Sequence, residues 1–223
     1  MAEPRLLRCG WHAVLVEFDE LEQVLALADA VRAAVAAGEH GFPEVIDVVP
    51  AATTVLVIVR DGGDIASLRP ALARLAATAS ATGRRSGDGD EETVEIGVHY
   101  DGPDLEDVAA MTGLARQEVI EAHTATSWRV AFGGFAPGFA YLTGGDSRLR
   151  VLRRAEPRTT VPAGSVPAGS VGLAGEYSAV YPRSSPGGWQ LLGHTDAVIW
   201  DLERDPPALL RPGTTVRFVE LEP

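Results

Sequence analysis

Apolar positions follow two alternating rhythms over the first hundred residues. His12 to Phe18 is a short aliphatic run centred on Val14, Leu15 and Val16, which predicts a strand. Leu21, Val24, Leu25, Ala28, Val31 and Val35 then recur at helical spacing and predict a helix over 20–37, with Gly38 as its natural C′ residue. Asp19 and Glu22, three residues apart, give that helix a capping-box pattern. Two β-branched runs, Val45–Val49 and Thr53–Val59, flank Pro50-Ala-Ala and predict a hairpin. Ile65, Leu68, Leu72 and Leu75 predict a second helix from near Asp64, kinked or restarted at Pro70. Residues 79–92 read as a solvated loop, and Thr93–Val98 alternates as a last strand. The order β-α-β-β-α-β is that of a ferredoxin-like split βαβ unit.

Beyond Tyr100 the pattern changes. Asp104–Met111 and Arg116–His123 predict two short helices broken at Gly113. Short apolar runs between glycine and proline turns follow: Trp128–Phe132, Ser170–Ala174, Ala179–Tyr181, Trp189–Leu192, Ala197–Trp200 and Thr215–Val219. Such punctuation predicts a β-barrel or sandwich. The expected class is α+β, with a ferredoxin-like domain over 1–100 and, over 101–223, a helical connector and the β domain.

Composition narrows the chemistry. The 223 residues carry a net charge of −12, and all 19 basic residues are arginine. With no lysine, the chain cannot own a Walker A lysine, a Schiff-base lysine or a biotinylated one. The acidic excess disfavours nucleic acid and anionic membranes as partners. A single cysteine excludes an intrachain disulfide and fits a reducing compartment. Neither a signal-peptide pattern nor a long apolar run occurs, so a cytoplasmic location is expected.

Several constellations invite a functional reading. Asp104 to Ile120 has helix-turn-helix spacing, but Asp101, Asp104, Glu106 and Asp107 would repel phosphates, which favours two packing helices. The five histidines show no metal-ligand spacing, and no metal site is expected. His194-Thr-Asp196 lacks a nucleophile elbow and reads as structural. Three glycine-rich segments stand out instead. In Gly133–Leu142, glycines and Pro137 let the backbone turn sharply around Phe135, Gly138, Phe139 and Tyr141, a set that suits either ligand walls or barrel filling. In Pro157–Gly175, Arg158 is able to grip a carboxylate, with Ser165 and Ser170 as hydroxyl donors. In Tyr181–Thr195 the Gly187-Gly188 turn delivers Trp189 and Gln190 to opposite faces of a strand.

Gly134–Leu142, Pro157–Val166 and Ser185–Thr195, together with Asp101–Leu105, His123 and Arg211–Gly213, resemble the family called allophanate hydrolase subunit 1. That family includes the B subunit of bacterial 5-oxoprolinase (PxpB) and the kinase inhibitor KipI, and its fold recurs in the carboxyltransferase region of urea carboxylase. The resemblance implies a ferredoxin-like N-terminal domain and a cyclophilin-like β-barrel. It implies a hydrolase subunit, inactive alone, of an ATP-dependent enzyme that opens 5-oxoproline to glutamate. The implied partners are a subunit-2 (PxpC-like) protein and a PxpA-like subunit, with ATP used by the complex and no cofactor bound by this chain alone. A KipI-like inhibitor of a sensor histidine kinase is the alternative. The site it implies has His123 and Arg158 as catalytic candidates, and Phe135, Pro137, Gly138, Phe139, Tyr141, Ser165, Ser170, Gly187, Gly188, Trp189 and Gln190 around a small carboxylated amide. One departure is the tandem Val161–Ser165 and Val166–Ser170, where the family pattern has a single copy.

Overall fold

The structure, a computed structural model, describes residues 4–42, 44–82, 93–159 and 165–222. The chain divides into two compact units, Met1–Gly89 and Asp90–Pro223.

The first unit contains β1 (Arg5–Cys9), β2 (Ala13–Glu17), α1 (Leu21–Ala36), β3 (Val45–Pro50), β4 (Thr54–Val59) and α2 (Ile65–Thr82). Its antiparallel sheet has the order β1-β2-β4-β3. Alternation in β2 and β4 turns Val14, Val16, Val55, Val57 and Val59 to the interior, where they are fully buried with Val24, Leu27, Val31, Leu68 and Leu72 of the two helices. The α1 cap lies one residue beyond the expected position: Glu20 is the N-cap, and its N–H donates to Gln23 Oε1 at 3.2 Å. Pro70 lies within α2, which continues to Thr82 through part of the segment expected as loop. Residues 83–92 of that segment lie outside the described residues.

The split βαβ order is not followed. The strand expected to complete it, β5 (Thr93–Val98), forms as anticipated but pairs in parallel with β11 (Thr215–Glu220) of the second unit. In the first sheet the edge beside β2 belongs to β1.

The second unit continues through α3 (Leu105–Thr112), α4 (Arg116–Ala125), β6 (Trp128–Gly133), β7 (Ala140–Thr143), β8 (Ser170–Ala174), β9 (Tyr177–Val180) and β10 (Gln190–His194). Gly113 ends α3 in the left-handed conformation. The expected Ala197–Trp200 strand is represented by an isolated bridge between Trp200 and Ala208. Sheet order is β10-β8-β9-β7-β6-β11-β5. The chain just after β5 returns to β10, where His99 and His194 exchange backbone hydrogen bonds of 2.9 and 3.0 Å, and so nearly closes a barrel. Gly102 and Gly193 permit this seam, because a Cβ on either would collide with the facing backbone. Next along the seam, Asp104 N–H donates to Leu191 O at 3.1 Å, which fixes Asp104 against β10.

Two apolar clusters fill this unit. The larger packs Trp128, Leu142, Leu173, Leu192 and Phe218 beneath α3 and α4; the smaller gathers Phe139, Val166, Ala174, Ala179, Tyr181, Trp189 and Leu191.

Candidate functional site

The smaller cluster collects three of the residues singled out by sequence, Phe139, Tyr141 and Trp189. Phe139 is 2% exposed and meets Tyr141, Tyr181 and Trp189 edge-on, with ring centroids 5.2, 5.2 and 5.5 Å away. The preceding loop is held by its own backbone, with Gly134 N–H donating to Phe139 O at 3.1 Å and Phe139 N–H to Ala136 O at 2.9 Å. Gly138 takes φ +81°, and a Cβ there would lie 2.9 Å from that of Trp200. Phe135 adopts φ +65°, a conformation that disfavours any side chain, and holds its ring 61% exposed above Phe139. Pro137 is exposed beside it.

The second and third segments join there. Arg158 and Gly187 exchange backbone hydrogen bonds of 2.8 and 2.9 Å. A Cβ at Gly187 would strike the Tyr181 hydroxyl, so glycine lets the turn lie against that ring. Burial pushes the Tyr181 phenol up to about 12, and the hydrogen bond from Trp189 N–H and the charges of Arg153 and Arg158 draw it back only in part. Trp189 and Gln190 are both buried, Trp189 in the aromatic cluster and Gln190 toward Leu152; Gly188 is buried as well. The Gln190 amide donates to Leu152 O at 3.0 Å, while its Oε1 has no partner.

Arg158 is not free to act as a lone cation. Its Nη2 donates to both oxygens of Asp104 at 2.9 Å, and Arg154 Nη1 donates to Asp104 Oδ1 at 2.6 Å. Leu191 N–H completes the carboxylate's shell at 2.7 Å. Sequence reasoning missed Asp104 and Arg154. Asp101–Leu105 is among the segments that carry the resemblance, but its acids read only as groups that repel phosphates, which gives Asp104 no site role.

The serines separate. Ser170 is buried at the start of β8, where its carbonyl accepts from Tyr181 N–H at 2.9 Å. The second repeat is thus built into the barrel wall, with Val166 fully buried. Ser165 lies by Ser184, with their hydroxyls 3.0 Å apart, and Thr160–Gly164 lie outside the described residues.

His123 belongs to the larger core instead. Its ring is 0% exposed, stacks on Phe218 at 4.3 Å, and hydrogen-bonds Tyr100 Oη at 2.7 Å and Ser178 Oγ at 2.8 Å. Desolvation lowers its pKa to about 3. The ring is therefore neutral near pH 7, with both nitrogens engaged. His194 stacks on His99 at 5.1 Å and pairs with Asp101 at 2.9 Å, beside a cleft of about 540 Å³ along the seam.

Residues 4–210 match the family model described as "Carboxyltransferase domain, subdomain C and D". The chain belongs to this family. The B subunit of 5-oxoprolinase from Escherichia coli O157:H7 is 41% identical over 181 residues, covering 80% of this chain and 79% of that protein. The crystal structure of TTHA0988 in space group P6522 superposes with a TM-score of 0.71 at 34% identity; 96% of this chain spans 40% of that one. The Kluyveromyces lactis urea carboxylase shares the fold, with a TM-score of 0.71 at 17% identity over 98% of this chain and 22% of its own. Among the described residues no helix is long and apolar enough to cross a membrane.

Proposed function

We propose that this chain is the B subunit of an ATP-dependent 5-oxoprolinase, a hydrolase that works only as a complex and opens the lactam of 5-oxoproline to give glutamate. The 41% identity to a protein of that name, over four-fifths of the chain, is the observation that carries the reading. A subunit-2 (PxpC-like) protein and a PxpA-like subunit complete the enzyme, which resides in the cytoplasm. ATP consumption belongs to the complex, since a chain without lysine has no Walker-type phosphate loop of its own. On this reading the N-terminal unit is a variant of the ferredoxin-like fold and the barrel is cyclophilin-like.

The geometry of the smaller cluster fits such a substrate. Phe139, Tyr181 and Trp189 offer an apolar wall for a small ring, and Arg158, rooted at Gly187, supplies positive charge at its edge. The Tyr181 hydroxyl, protonated at neutral pH, is a hydrogen-bond donor toward a developing oxyanion. His123 is left out of the chemistry because burial keeps it neutral and sealed.

Co-purification with the products of neighbouring genes, followed by an assay of ATP-dependent glutamate formation, tests the proposal. Activity is expected to vanish when this chain is omitted. Unchanged activity without it overturns the proposal, and inhibition of a sensor kinase by the isolated chain supports the KipI-like alternative instead.

A further inference from the structure

We infer that Arg154, Arg158 and Gln190, held in place by Asp104, form a receptor for one carboxylate and one neighbouring N–H of the same small ligand. This deepens the reading above and rests on it, naming Asp104 as a positioning residue and Arg154 as a binding residue.

Three observations carry the inference. The first is charge. Two guanidiniums surround a single carboxylate, leaving one formal positive charge in a chain whose net charge is −12. Asp104 is 1% exposed and already accepts from Arg154, Arg158 and Leu191 N–H, so its oxygens are filled and the surplus lies with the arginines.

The second is hydrogen-bond accounting. Buried polar atoms in folded proteins nearly always find partners, and those that do not call for an explanation. Among the described residues, four buried side-chain atoms have none: Arg154 Nε, Arg158 Nη1, Gln190 Oε1 and Thr126 Oγ1. Three of the four belong to this cluster, as two donors and one acceptor.

The third is rigidity. Arg154 N–H donates to Gly188 O at 2.8 Å, Arg158 is bridged to Gly187, and the Gln190 amide is tied to Leu152 O at 3.0 Å. The two arginines therefore start from backbone bonded to the Gly187-Gly188 turn, and the Gln190 side chain reaches the same segment from β10. The arginine side chains remain 31% and 18% exposed at their other atoms, while the three unpartnered atoms are themselves buried.

Two N–H donors carrying one unbalanced positive charge match a monocarboxylate. An amide oxygen without a partner matches an N–H and rejects a ligand that brings only another acceptor. A cyclic amide bearing a carboxylate supplies both groups, whereas the corresponding lactone lacks the N–H and 2-pyrrolidinone lacks the charge.

The test compares binding of 5-oxoproline, its lactone analogue and 2-pyrrolidinone by calorimetry, using the full chain alone and with its co-purified partners. The wild type is expected to bind 5-oxoproline at least about tenfold more tightly than either analogue. Gln190→Leu should bring 5-oxoproline and the lactone to within about twofold, and Arg154→Gln should do the same for 5-oxoproline and 2-pyrrolidinone. Gln190→Met and Arg154→Met serve if either variant fails to fold. Asp104→Asn separates positioning from charge: it raises the local positive charge, yet loss of the two-sided anchor should lower the preference for the carboxylate. Each ratio is measured within one protein, so a general loss of folded molecules does not mimic it. Unchanged ratios in the variants, or no binding of 5-oxoproline in either preparation, overturn the inference. Glutamate formation by the complex, read separately, decides whether the enzyme assignment stands.

Discussion

Two buried polar groups of the second unit, around His123 and around Asp104, are treated oppositely. Around His123 every polar atom is answered: Tyr100 and Ser178 take the two ring nitrogens, and the ring lies on Phe218. Around Asp104 the carboxylate is saturated, while Arg154 Nε, Arg158 Nη1 and Gln190 Oε1 are not. Both regions are buried, so burial alone does not distinguish scaffold from site. What separates them is hydrogen-bond satisfaction: a closed polar network fixes the fold, and an open one has capacity for a ligand.

Acid gives the largest test of this contrast. His123 has a folded pKa of about 3, below its ordinary unfolded value near 6.5, so the unfolded chain binds the extra proton between those pH values. Its contribution to stability is complete above about pH 6.5 and is lost as the pH falls toward 3, by at most roughly 4–5 kcal/mol. Urea titrations of the wild type and His123→Gln between pH 4 and 7 check this, and the variant is expected to lose most of that slope. Next in size is Asp104→Ala, which strands two guanidiniums beside each other and leaves Leu191 N–H without its acceptor. A cost of about 3–5 kcal/mol is expected in the same assay. His123→Leu should cost about 2–4 kcal/mol by leaving the Tyr100 and Ser178 hydroxyls unpaired, and adding Tyr100→Phe and Ser178→Ala should recover much of it. Smallest is Gln190→Leu. It removes a buried acceptor that has no partner together with one amide bond to Leu152 O, so its stability should change by about 1 kcal/mol while ligand selectivity changes most. A large loss of stability in that variant would place Gln190 with the scaffold and erase the contrast.

The sequence carried local structure better than long-range pairing. Helical spacing from Leu21 to Val35 matched α1, and the Ser170–Ala174 run matched β8 residue for residue. Alternation likewise marked Thr93–Val98 as a strand but held no information on its partner, which lies more than a hundred residues away at Thr215–Glu220. Arg5–Cys9 escaped notice because its mostly exposed, arginine-bearing pattern has no apolar rhythm. In the site, glycine and aromatic residues announced the approach of their segments, with Phe139 against Trp189 and Arg158 bridged to Gly187, because tight backbone approach needs glycine and a wall needs rings. Asp104 and Arg154 were not legible in this way. A buried ion pair has the same composition as a solvated one, and only the seam that delivers Asp104 to Leu191 separates them.

Crystals of the full chain grown with saturating 5-oxoproline measure the central claim most directly. The expected density is a ring against Phe139 and Trp189, with its carboxylate on Arg154 and Arg158 and its N–H on Gln190 Oε1. Ordered water alone at those atoms, or ligand density elsewhere on the barrel, would contradict the account.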